Sequence, residues 1–117
     1  MKISFEGYGE MAATFRNDTD SPAAAGKAAS MTGNGTVGLC TGGKPAGIVI
    51  SADDEYAVVQ TGGFVTCAYT GTAPAAGWCS LVGAAGGKVA LAGTGVSGLD
   101  CLVVEVDSSS ETVGFIL

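Results

Sequence analysis

Hydrophobic and polar positions alternate along this chain in short runs rich in Val, Thr and aromatic residues, broken every few positions by Gly, Asn, Asp or Ser. A two-residue period punctuated by turn formers predicts a meander of half-buried strands. The clearest hairpin is C-terminal, where residues 101–107 meet residues 112–117 across Ser108, Ser109 and Ser110. Strict alternation on its first strand turns Leu102, Val104 and Val106 one way and Val103, Glu105 and Asp107 the other. Val104, Val106, Phe115 and Leu117 are therefore its expected core positions. A second hairpin joins residues 47–51 to 56–60 through Asp53, Asp54 and Glu55, three acids that belong in a solvated turn. A third pairs residues 27–31 with 36–40 around Gly33-Asn34-Gly35, since Asn-Gly readily supplies the positive φ angles of a tight turn. Residues 64–69 alternate strongly enough to predict a central strand.

Helical signals are poor. The Ala-rich stretches at residues 22–29 and 73–76 are short and interrupted by Pro or Gly, so they read as connecting loops with at most one helical turn. No linker divides the chain, and no repeat period of a solenoid or propeller stands out. The expected fold is all-β: a compact antiparallel β-barrel or β-sandwich of short strands with Gly/Ala-rich loops. It forms one domain over residues 1–117, with residues 1–20 as an N-terminal arm or edge strand.

Composition thins the core that these strands can share. A chain of 117 residues supports one core. With 20 Gly against 4 Phe, 3 Tyr and 1 Trp, that core is a single layer of small side chains. Hydrophobic residues make up 47% and charged ones 14%, which excludes a disordered tail. Five basic residues against 11 acidic give a net charge of −6, which repels phosphate backbones and argues against a nucleic-acid partner. Lys2, Arg16, Lys27, Lys44 and Lys88 are scattered, so neighbours in sequence build no polybasic membrane anchor. No run approaches the roughly 18 apolar residues of a membrane span. Glu6 and Glu10 fall where a secretory signal would place its apolar stretch, which predicts a cytoplasmic product.

The motifs that look like chemistry lose their force in context. Residues 33–38 and 93–98 both match G-x-G-x-x-G, but neither is followed by the helix whose amides would hold a pyrophosphate. Residues 38–45 follow a phosphate-binding loop as far as Lys44, where Pro45 replaces the Ser or Thr that would hold magnesium. Asn17-Asp18-Thr19 and Asn34-Gly35-Thr36 are glycosylation sequons that read better as polar turns. Asp53, Asp54 and Glu55 lack the ligand spacing of a calcium loop. The chain has no His, so a hydrolytic triad of the usual kind does not form. Cys40, Cys67, Cys79 and Cys101 sit in apolar segments without metal-ligand spacing, and read as free, mostly buried thiols. No catalytic residue, cofactor or metal is expected.

The second half of the chain resembles a family of small phage virion proteins, the capsid decoration or cement proteins. The resemblance rests on an ordered series of phrases: residues 46–50 (AGIVI), 56–60 (YAVVQ), 63–66 (GFVT), 69–74 (YTGTAP), 102–107 (LVVEVD) and 112–117 (TVGFIL). It covers residues 45–117, with a looser match before them. What it implies is a β-rich module that docks on the outside of an assembled head and stabilises it, as a homo-oligomer with a trimer favoured. The major capsid protein is then the partner and the virion surface the location, reached from the host cytoplasm. Another virion component, such as a head fibre base or tail part, and a small ligand- or carbohydrate-binding β module are the alternatives. The expected docking residues are Ile3, Phe5, Tyr8, Met11 and Phe15, which exceed what one edge strand needs, and Pro74 and Trp78 of the loop at residues 73–78.

Overall fold

The computed structural model describes residues 10–117 and is nearly all β. The chain first builds β1 (Met11–Asn17), β2 (Ala28–Gly33), β3 (Thr36–Leu39), β4 (Gly47–Ala52) and β5 (Tyr56–Gly62). These close into a barrel in the order β1-β3-β2-β4-β5, with β5 returning to β1. It then builds β6 (Phe64–Ala68), β7 (Gly77–Ala84), β8 (Lys88–Leu91), β9 (Leu99–Asp107) and β10 (Thr112–Ile116), a sheet of order β6-β10-β9-β7-β8. A single 3-10 turn at Ala85–Gly87 links β7 to β8.

Neighbouring residues on β2 and β4 show how the two layers meet. Ala28 and Ile48 belong to the same apolar cluster as Val65, Leu81, Val103 and Phe115 of the second sheet. The next residues, Ala29 and Val49, point the other way into the barrel with Val37, Ala57 and Val59. Because successive side chains on a strand face opposite sides, the first residues of these two strands, Ala28 and Ala29 with Gly47 to Val49, form a wall buried on both faces, and the apolar interior is two layers where composition predicted a single one. The unbroken apolar run Gly47-Ile48-Val49 is the sequence of such a wall. Gly83 lets the second sheet come close to the loop after β3. A Cβ on Gly83 would strike the Cys40 thiol, and the Gly83 amide donates to the Gly43 carbonyl at 2.8 Å.

All three expected hairpins form, as β9/β10, β4/β5 and β2/β3. Gly35 takes the positive φ of the tight turn, at 62°. The inward set of the C-terminal hairpin differs from strict alternation. Val113 pairs with Val106 and Phe115 with Val103, so Val104 is the extra residue of a β-bulge. The bulge shifts the inward parity: Cys101 and Val103 are buried before it, and Val106 packs against the core after it. Phe115 is fully buried and Leu117 partly so, whereas Val104 is half-buried. The strand at residues 64–68 is terminal in its sheet order, not central, because among the described residues it pairs with β10 alone. The sheet curls until Tyr69 bridges Val89, and the Thr70 amide donates to the Val89 carbonyl at 2.9 Å.

Within residues 1–20, Met11–Asn17 form β1 of the closed barrel. From Met11 to Phe15 the strand is paired with β5, and no other strand among the described residues joins it there. At Arg16 and Asn17 it is closed by parallel pairing with Thr36 and Val37, which no free arm or edge allows. Asn17 is buried, and its side chain bonds three backbone groups. Its Nδ2 donates to the Ala23 and Asp53 carbonyls at 3.2 and 2.9 Å, and its Oδ1 accepts from the Ala23 amide at 2.8 Å. This engagement ties the loop after β1 to the β4/β5 turn and occupies the nitrogen that a glycan would need.

The bulge predicts that Val103→Ala destabilises the protein by about 2 kcal/mol and Val104→Ala by less than about 1 kcal/mol. Urea denaturation of the two variants decides it, and the reverse order would place Val104 in the core. Asn17→Ala strands three backbone partners and should cost roughly 2–4 kcal/mol in the same measurement.

Candidate interface on the second sheet

The second sheet buries one face on the barrel wall and leaves the other outside. On β10, Val113 and Phe115 face the core, so Ile116 and Gly114 face outward. Ile116 is paired with Leu102 of β9 and with Phe64 of β6, and Leu102 is paired with Trp78 of β7. Four adjacent strands thus carry one transverse apolar row, Phe64–Ile116–Leu102–Trp78, with directly opposed side chains close enough to touch. Phe64, Ile116 and Leu102 are half-buried, while Trp78 is 78% exposed. The Phe64 ring lies over Gly114, where a Cβ would come within 2.9 Å of it. Gly114 is therefore needed for the first member of the row to lie flat.

Polar rows flank the apolar one. On one side Asp100 opposes Ser80, and on the other Glu105 opposes Gly114, which opposes Thr66. Asp100 and Glu105 are both exposed, and β6, β7, β9 and β10 contain no Lys or Arg. The face is an apolar stripe with an acidic rim. Trp78, Cys79, Ser80 and Asp100 line a shallow depression at its end.

Beyond the stripe, Asp107 closes the β9/β10 turn. Its carboxylate accepts from the Ser109 hydroxyl at 2.7 Å and from the Ser109 and Ser110 amides at 3.0 and 3.3 Å. The Ser109 hydroxyl above all, then Ser110 and the two amides, hold the Asp107 carboxyl down to about 2. Asp53 does the same for the β4/β5 turn, where the Tyr56 and Glu55 amides lower its pKa. The acids of residues 53–55 are exposed, as a solvated tip requires. Among the described residues, no group of His, Cys, Asp or Glu has the arrangement of a metal site.

The residues expected to dock are dispersed by the fold. Trp78 stands on the apolar row. Met11 is 66% exposed and lies opposite Gly62, at the barrel end where the chain passes to Phe64. Phe15 is half-buried against the barrel core, so it packs more than it presents. Pro74 is buried and offers no docking surface. Ile3, Phe5 and Tyr8 lie outside the described residues. Phe64, Leu102 and Ile116 are not legible from sequence as surface residues, because their row exists only across four strands. The outward parity of Leu102 would have signalled it, had the bulge at Val104 been legible. No protein-family model matches the chain, and no curated protein matches it either.

The lowered pKa of Asp107 sets a pH window. Its folded value lies below the ordinary carboxylate value of about 3.9, so its stabilising contribution is complete above that pH and is lost as pH falls through about 2. The melting temperature should fall between about pH 4 and pH 2, and Asp107→Asn should flatten part of that fall. An equally steep fall in the variant would assign the acid sensitivity to other groups.

Proposed function

We propose that this protein is a virion structural component that decorates a phage capsid and stabilises it by binding the outer surface of the major capsid protein lattice. The observation that carries this reading is the apolar row ending in Trp78 on the solvent face of the second sheet. Large exposed aromatics on a flat, rimmed apolar surface are the usual anchors of protein interfaces. The resemblance of residues 45–117 to decoration proteins falls on the same half of the chain, which contains β6 to β10. The partner surface should be apolar at its centre and basic at its edge, to meet Asp100 and Glu105.

Size supports a lattice partner. A row of four side chains offers one neighbour only a modest patch, so useful affinity needs several patches held at fixed spacing. Homo-oligomerisation, with a trimer favoured, supplies that spacing in the same proposal. No catalytic role enters it.

The test is cosedimentation with assembled shells and with unassembled capsid subunits. Shells should be bound much the better, added salt should weaken binding, and bound shells should resist heat or osmotic shock better than bare ones. Trp78→Glu should reduce shell binding by at least about 30-fold, the scale of an interface hot spot of roughly 2 kcal/mol. It should leave the melting temperature nearly unchanged, because Trp78 is exposed. Equal binding to shells and subunits would remove the decoration reading. Full shell binding by the Trp78 variant would remove this face as the docking surface.

A further inference from the structure

Cys79 on β7 and Cys101 on β9 are exact register partners in an antiparallel ladder. Opposed residues on such a ladder point to the same face, with Cα atoms about 4.5–5.5 Å apart, inside the roughly 4.4–6.8 Å range of cystines. The Cys101 thiol lies 3.7 Å from the Cys79 carbonyl oxygen, so it already leans across the strand gap. Neither is bridged, and the two differ in access: Cys101 is buried, while Cys79 is partly exposed, its thiol donating to the Ala75 carbonyl at 3.3 Å. Cys40 and Cys67 are both buried, and Cys67 is opposed by Val113.

We infer that Cys79 and Cys101 form a thiol–disulfide exchange site, in which Cys79 captures a small-molecule disulfide and Cys101 resolves the adduct into a cross-strand cystine. In the first step the Cys79 thiolate attacks one sulfur of the small disulfide, an S–S bond forms to Cys79, and one small thiolate leaves. In the second step the Cys101 thiol loses its proton and attacks the Cys79 sulfur, expelling the second small thiolate. Two protein thiols are oxidised, one disulfide is reduced to two thiols, and no other oxidant is needed.

The order of attack follows from the surroundings. Burial, then the neighbouring Cys79 and Asp100 charges, push the Cys101 thiol up to about 11, which disfavours it as the first nucleophile. Capping Cys79 as a mixed disulfide removes the Cys79 charge from that set. The resulting cystine joins β7 to β9, the two strands that carry Trp78 and Leu102 of the apolar row.

The experiment treats the folded, reduced protein with glutathione disulfide, then alkylates it under denaturing conditions and maps the peptides by mass spectrometry. Wild type should lose two hydrogens, leave Cys40 and Cys67 alkylated, and yield a peptide linked through Cys79 and Cys101. Cys101→Ser should stop at one glutathione on Cys79, and Cys79→Ser should stay unmodified. The melting temperature of oxidised wild type gives a second reading and should rise. The inference is overturned if wild type keeps a stable glutathione adduct on Cys79 with Cys101 alkylated, if the bridge uses Cys40 or Cys67, or if all four thiols remain alkylated while the protein is folded.

Discussion

The wall formed by β2 and β4 is the constraint on which the rest of the molecule depends. Ala28 and Ile48 face the second sheet while Ala29 and Val49 face the barrel interior, so one pair of strands serves two apolar layers. A wall buried on both sides offers no polar face, and it makes the sheet and the barrel one packing problem. It also limits side-chain size, because two layers must fit around a shared backbone. Small residues on the wall and Gly83 at the junction with Cys40 are the answer found here.

Once one face of the second sheet is committed to the wall, its other face must meet solvent or a partner. Alternation then places Phe64, Ile116, Leu102 and Trp78 outward as a single row. Their common outward orientation is a consequence of register. A strand shift of one residue would bury them and expose Val65, Phe115 and Cys101 instead. Core packing and surface chemistry are therefore set by the same hydrogen-bonded ladders, and the bulge at Val104 keeps both in phase along β9.

The turns are held in a different way. Asp107 and Asp53 each gather backbone amides at an exposed hairpin tip, and neither depends on burial. Asn17 does comparable work from a buried position, where its amide bonds two separated segments at once. Local caps thus shape individual hairpins, and one buried side chain ties the loop after β1 to the β4/β5 turn.

The sequence by itself determined the β class, the three hairpins and the burial of most cysteines, because these follow from two-residue alternation, turn formers and apolar context over a few neighbouring positions. It also singled out Trp78, the only Trp in the chain, as a candidate docking residue. Only the tertiary structure decided that Val103 and not Val104 enters the core, that residues 64–68 end the strand order of their sheet among the described residues, and that Pro74 is buried while Trp78 is exposed. It likewise brought Cys79 opposite Cys101 and aligned the apolar row. Each of these depends on which residue stands across a strand boundary. A bulge or a change of neighbour alters that pairing without altering the local hydrophobic pattern.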